Sequence, residues 1–291
     1  MDCLTKVQLQ KYHKDGYLFP LNIFSHDEIN AIRSELESIE AQSENGPELK
    51  RYLALNAHYI FEFVAEAARH PAILDAVESI LGPDILAWGS ELFLKEPLSP
   101  SYVSWHQDLT YWGMGSTEKQ VTAWIALTDS FPLNGCMKFY PGSHRSDELL
   151  TPIDTFAENN ALSRGQELPI EIDDDTAVDV CLSAGQVSLH HGRIYHSSGS
   201  NRSTTRRIGL TLRYITPDVI PSKLGKDFAM LVRGTNSSSY FDLIPPPNQT
   251  LGEIEKRFFE TVANHQAALY VRPDEKKKPK WERITWEESD S

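Results

Sequence analysis

Apolar positions recur at helical spacing through the first third of the chain and at alternating spacing after Pro83. Thr5-Lys6-Val7-Gln8 has the form of a capping box, in which a hydroxyl oxygen and an amide oxygen each accept from an unpaired backbone N–H of the first turn. Gly16 supplies the stop. Ser25-His26-Asp27-Glu28 is a second box, and Ile29, Ile32, Leu36 and Ile39 after it form one apolar stripe. His70-Pro71 opens a further helix with proline at its first position; Ile73, Val77, Ile80 and Leu81 make its buried face, and Gly82-Pro83 ends it. The stretch from Tyr59 to Ala68 also reads as helical. These stripes are core and carry no chemistry.

Beyond Pro83 the alternation predicts strands near 85–95, 101–108, 119–129, 134–140, 168–173, 177–182, 186–196 and 206–215, each bounded by Gly, Pro, Asn, Ser or Asp. Short antiparallel strands behind a helical third predict a mainly β fold with α. The expected architecture is a double-stranded β-helix (a cupin-like jelly roll) with the N-terminal helices packed on one sheet. The polar stretch 147–168 is expected to be an insertion forming a lid over the barrel mouth. Leu251 to Leu269 reads as one more helix, and Pro273 to Ser291 as a charged tail. With no repeat and no linker, the 291 residues are expected to be a single domain: a helical third 1–83, a jelly-roll core 84–216 and an extension 217–291.

Charge and cysteine content narrow the classes. Lys plus Arg number 28 against 41 for Asp plus Glu, a net charge of −13, which disfavours a phosphate backbone as partner. The only dense basic runs are Arg202 to Arg213, read as part of a strand hairpin, and Lys276 to Lys280 in the tail. No apolar run approaches the roughly 20 residues of a membrane span, and the N-terminus lacks the pattern of a signal peptide. Cys3, Cys136 and Cys181 are odd in number and without a CxxC pair, which argues for a reducing, cytoplasmic setting and against a disulfide scaffold or structural zinc.

The chemistry starts at His106-Gln107-Asp108. On a strand, residues two apart share a face at about 6–7 Å, so an imidazole and a carboxylate can reach one ion such as iron(II). Composition alone gives on the order of one His-x-Asp match by chance, and a second copy, His13-Lys14-Asp15, is present. That copy ends a helix, where the two side chains diverge, and is assigned to solvent. A third ligand should come from a late strand holding His190, His191 and His196. Alternation over Arg206 to Arg213 puts Arg207, Gly209, Thr211 and Arg213 on one face, with Ile208, Leu210, Leu212 and Tyr214 on the other. The apolar face would pack under the helices and the polar face would line the barrel. A buried arginine there needs an anion, and with a hairpin returning antiparallel Arg207 would lie beside His196 and hold a carboxylate bidentately. Two histidines, one carboxylate and a deep cation meet the needs of a 2-oxoglutarate-dependent iron oxygenase.

These residues resemble a known family. Trp105-His106-Gln107-Asp108, Trp124-Ile125-Ala126-Leu127, Asn134-Gly135-Cys136-Met137 with Pro141-Gly142-Ser143-His144, and His196-x-Ser198 leading to Arg207 resemble the phytanoyl-CoA dioxygenase family over about residues 5 to 216. The resemblance implies that His106, Asp108 and His196 are the catalytic metal ligands. It matches Arg207, eleven residues past His196, to the 2-oxoglutarate anchor, Ser198 to a second donor on the same carboxylate, and Trp124 and Asn201 to positions near the site. It implies Fe(II), 2-oxoglutarate and O2 as cofactor and cosubstrates of a dioxygenase. The family's halogenases replace the carboxylate with a small residue, so Asp108 points to hydroxylation or a related oxidation.

Other assignments are weighed beside these. His191 competes with His196, because Arg202 lies eleven residues beyond it, but Asn201-Arg202-Ser203 reads as a turn and alternation turns His191 to the opposite face. Glu91 and Lys95 share a face and either pair with each other or line the substrate pocket. Tyr111, Trp112 and Arg213 are substrate-binding candidates with a structural reading alongside, and His144 reads as a turn residue. The expected partner is a small-molecule substrate, polar or of secondary metabolism, since no separate basic cluster for a CoA diphosphate is evident; a homodimer is one oligomeric option. Two alternatives stand beside hydroxylation: the same cofactors driving desaturation, cyclisation or epimerisation, and a non-catalytic metal-binding cupin.

Overall fold

A computed structural model of the chain describes residues 4–42 and 46–270. The expected tail over 273–291, with its basic run, and Cys3 lie outside the described residues. Local chemistry sets the first elements. Thr5 and Gln8 exchange the two capping-box hydrogen bonds and start α1 (Lys6–Asp15), which Gly16 ends at φ 86°. β1 (Tyr17–Asn22) follows, a strand within the third read as wholly helical. Its Pro20 argues against a central strand, and β1 is in fact an edge strand, where a missing N–H costs no ladder bond. Ser25 and Glu28 cap α2 (His26–Gln42) as expected, and Ile29, Leu36 and Ile39 are buried. The sequence reading missed α3 (Pro47–Ala54). Residues Ala57–Tyr59 form a 3-10 turn before α4 (Glu62–Ala68), and α5 (Pro71–Leu81) carries proline at its start.

The β region comprises β2 (Ile85–Lys95), β3 (Val103–His106), then the short α6 (Leu109–Trp112), β4 (Gln120–Ala126), β5 (Met137–Phe139), β6 (Ile153–Asp154), β7 (Gln166–Glu167), β8 (Val178–Asp179), β9 (Gln186–His190), β10 (His196–Ser198) and β11 (Arg207–Ile215). β12 (Asp227–Arg233), β13 (Phe241–Leu243) and α7 (Glu253–Gln266) complete the described chain. Seven strands form one sheet in the order β1-β9-β4-β11-β2-β12-β13, and four form a second in the order β3-β10-β5-β8. The two sheets give the expected jelly roll. The larger sheet therefore draws strands from outside 84–216, at both ends of the expected core. No strand forms over 168–173; the pairing lies earlier, at β7, and Glu171 with Asp173 to Asp175 is exposed. The expected strand 186–196 is two strands in different sheets, joined by a turn at 191–195.

Packing follows the predicted alternation. Ile208, Leu210, Leu212 and Tyr214 of β11 are buried in one cluster with Ile29, Leu36, Ile73 and Val77 of the helices, and Tyr214 Oη donates to the Ala68 carbonyl at 3.0 Å. The helical layer thus covers the outer face of the seven-stranded sheet and leaves its polar face turned toward the second sheet. The 147–168 insertion is pinned to the edge strand β3: Asn160 Nδ2 donates to Ser104 Oγ at 2.8 Å and Leu168 N to the Trp105 carbonyl at 3.2 Å. No helix among the described residues is long and apolar enough to cross a membrane.

Candidate metal centre

β3 ends at His106, and β10 begins at His196 directly opposite it in the antiparallel register. Asp108 does not continue the strand, as the spacing suggested; it has already turned into helical backbone at the start of α6. The turn, not the pleat, brings its carboxylate to the histidines. Asp108 Oδ1 lies 3.7 Å from His106 Nε2 and 3.8 Å from His196 Nε2. One ligand atom from each of the three falls within 4.8 Å of the others, and all three residues are buried.

The surroundings set each group's protonation. His106 Nδ1 donates to the Ser104 carbonyl at 2.9 Å and His196 Nδ1 to the Ile194 carbonyl at 3.1 Å. Each carbonyl holds the proton on Nδ1 and leaves the Nε2 lone pair facing the carboxylate. Burial, reinforced by His196, pulls His106 down to about 3, and burial pulls His196 down to about 4. Burial alone would raise Asp108, but His190, His196 and Arg213 outweigh it and hold the carboxyl well below its usual range. Thr122 Oγ1 donates to its second oxygen at 3.1 Å. Two neutral imidazoles and one carboxylate on one side of a buried space form a donor set suited to a mid-row divalent ion, with the remaining positions open.

The second half of the site is cationic. Arg207, 2% exposed, stands opposite Lys95 of β2 and 5.3 Å over the Trp124 ring. Its Nε and Nη1 have no hydrogen-bond partner among the described residues, and burial lowers its pKa to about 10. A buried cation with unused donors is costly unless an anion arrives. Lys95 Nζ donates to Ser198 Oγ at 2.7 Å and to the Gly199 carbonyl; burial, then Arg207, brings it down to about 7. Gly209 makes room here, since a Cβ would lie 2.0 Å from the indole of Trp124. Asn201 Nδ2 donates to the carbonyls of Lys95, Glu96 and Thr205, tying the loop before β11 to the end of β2. This arrangement fits a dicarboxylate tail. The expected hairpin is absent: β10 and β11 lie in different sheets, and Arg207 is joined to β10 through Lys95, its register partner, whose Nζ reaches Ser198.

The remaining predicted residues divide. Glu91 and Lys95 do not pair with each other, because Glu91 stands opposite Thr211 and bonds Arg213 at 2.9 Å. Arg213 lies 5.7 Å from the Trp112 ring, and Trp112 packs on Trp88 in a buried cluster instead of standing at a rim. Tyr111 is 6.2 Å from His106, ring to ring. His191 is outside the triad and donates to Glu118 at 2.9 Å, while His144 contacts the His13 carbonyl at 3.1 Å. His13 lies in the last turn of α1. His190, named only as one of three late-strand histidines, has its Nε2 3.7 Å from Asp108 Oδ2, and Thr122 was not singled out; strand alternation from Ser188 and from Trp124 was the signal for both.

Comparison with known proteins is consistent with this geometry. The profile described as phytanoyl-CoA dioxygenase (PhyH) matches residues 12–209. A probable alpha-ketoglutarate-dependent hypophosphite dioxygenase of Stutzerimonas stutzeri is 29% identical over 231 residues, covering 74% of this chain and 79% of that protein. An ectoine dioxygenase of Bordetella parapertussis is 24% identical, covering 73% and 76%. Among solved structures, the non-heme monooxygenase ThoJ in its apo form superposes with a TM-score of 0.80 at 35% identity, covering 90% of this chain and 96% of that one.

Proposed function

The chain belongs to the phytanoyl-CoA dioxygenase family, and from that membership we propose an Fe(II)- and 2-oxoglutarate-dependent oxygenase that hydroxylates a small polar organic molecule. One observation carries the reading: the fold holds a buried His106–Asp108–His196 cluster and a buried arginine, Arg207, whose Nε and Nη1 have no partner among the described residues. Bound iron(II) supplies the oxidising chemistry, with 2-oxoglutarate and dioxygen giving succinate and carbon dioxide as the substrate is hydroxylated.

The protein's own part is to bind and orient. His106 and His196 would hold the ion through Nε2 and Asp108 through its carboxylate, atoms that carry no proton to displace. Arg207 receives the distal carboxylate of 2-oxoglutarate through its free Nε and Nη1, with Trp124 packed against the guanidinium and Ser198 donating from the side. Lys95 is a second cation at that end. The Glu91–Arg213 pair and Tyr111 would give the substrate a polar wall with an aromatic edge, with Trp112 backing Arg213 from the buried cluster. The helical layer, the jelly roll and the C-terminal segment act together as one oxygenase domain. Asp108 argues against halogenation only; hydroxylation is favoured over desaturation, cyclisation or epimerisation because the 35% identical neighbour is described as a monooxygenase.

The test is succinate release from the protein loaded with Fe(II) and ascorbate, across a panel of small polar molecules. Slow release without substrate and stimulated release with one panel member are expected; no succinate under any condition would remove the reading. A second expectation concerns Lys95. In the free protein its pKa of about 7 leaves it largely neutral at pH 8.5, and an arriving carboxylate favours the charged form. Binding of 2-oxoglutarate should therefore take up about one proton at that pH. Calorimetry in buffers of different ionisation enthalpy reads this directly, and Lys95→Met should abolish it. Identical heats in all buffers would show that Lys95 keeps its charge throughout.

A further inference from the structure

We infer that Arg193 is a positioning residue for the metal centre, holding the turn that delivers His196 to it. The inference rests on the triad reading above. The chain leaves the seven-stranded sheet at His190 and enters the four-stranded sheet at His196, so one ligand is carried on a five-residue crossing over 191–195. A turn that supplies a ligand needs restraint, because a displacement of about 1 Å in a metal site is felt in full.

The restraint is built from both sides. Gln107 Nε2 donates to the Arg193 carbonyl at 3.0 Å, and Leu109 N donates to the Gly192 carbonyl at 3.0 Å. These two residues flank Asp108, so the two ligand-bearing segments are tied to each other directly. Arg193 is itself 3% exposed, and its guanidinium is fully committed. Nε donates to the His144 carbonyl at 3.0 Å, Nη1 to Ser116 Oγ at 2.9 Å and to Asp147 at 2.8 Å, and Nη2 to Glu118. Glu118 also accepts from His191 at 2.9 Å, closing the clamp over the turn. The next carbonyl along, that of Ile194, is the one that receives the His196 Nδ1 proton. Arg193 thus acts on the ion through the backbone that aims His196, and touches neither the ion nor the substrate.

A buried arginine whose carboxylate partners lie 67% and 90% exposed by side chain is not placed for burial alone. Its planar fork reaches two separate chain segments, 116–118 and 144–147, at fixed angles, which a lysine ammonium does not reproduce.

The experiment is Ni(II) titration of the full chain by calorimetry, with the visible spectrum of the Co(II)-saturated protein and the metal-free thermal midpoint recorded alongside. Arg193→Lys and Glu118→Ala should each weaken Ni(II) binding measurably, by no more than the roughly tenfold to hundredfold that losing a ligand's direct hydrogen-bond partner costs. The Co(II) spectrum should change, reporting a reoriented histidine, and Glu118→Gln, which keeps an acceptor oxygen, should recover most of the affinity. If Arg193→Lys does not fold, Glu118→Ala carries the test, because it alters only a largely exposed partner. Wild-type affinity and spectrum in the folded variants would overturn the inference. So would weakened binding with an unchanged Co(II) spectrum, which is what general loosening produces. Failure of the wild-type protein to bind Ni(II) would instead remove the triad reading itself, before any variant is compared.

Discussion

Replacing Asp108 by alanine is expected to abolish 2-oxoglutarate turnover and to weaken Ni(II) binding by more than the ~100-fold that loss of an outer partner costs. The carboxylate is the only anion of the triad, and its Oδ1 lies within 3.8 Å of both imidazole nitrogens. Its removal leaves two neutral histidines and deprives Thr122 Oγ1 of its acceptor. The metal-free fold should survive, because the charge lost is buried and was itself costly to desolvate. Succinate release and calorimetry check both halves, and succinate production at the wild-type rate would refute the triad.

Arg207→Met should move binding and stability in opposite directions. The guanidinium is buried with unused donors, and truncating one side of a buried charge pair typically costs about 2–5 kcal/mol. The apparent affinity for 2-oxoglutarate should therefore fall by roughly thirtyfold to several thousandfold. In the cosubstrate-free protein the same change removes an uncompensated buried cation, so the thermal midpoint should rise. Unchanged 2-oxoglutarate affinity, or a lowered midpoint without ligand, would show that Arg207 has a structural partner instead. Lys95 would then be the main cation at that end.

How much of this was legible follows from the range of the signals. Caps are local, and the Thr5 and Ser25 boxes stand where the sequence put them. Alternation is nearly as local, and it separated Arg207 from Ile208 correctly. What alternation does not carry is the identity of the neighbouring strand. Arg207 was expected beside His196, yet its register partner is Lys95, some hundred residues earlier in the chain. The same gap explains Glu91 and Lys95, which share a face but bond different partners. The crossing at 191–195 was hidden because Gly192 is the only breaker in an otherwise strand-like run. β1 was hidden by Pro20, whose cost vanishes at a sheet edge. The closeness of His106 and Asp108 was expected for a reason that proved incorrect: they converge through a helical turn, not along a pleat.

The smaller sheet has a dependence that the larger one lacks. Its strands are two to four residues long, and β3 meets β10 at only two register positions, one of them His196 against His106. An ion held by both imidazoles would rivet those strands where only two residue pairs meet, so the scaffold that would capture the cofactor would in turn be fastened by it. Loss of the ion would then remove that added tie while the pairing of β11 with β2, which carries Arg207, is untouched.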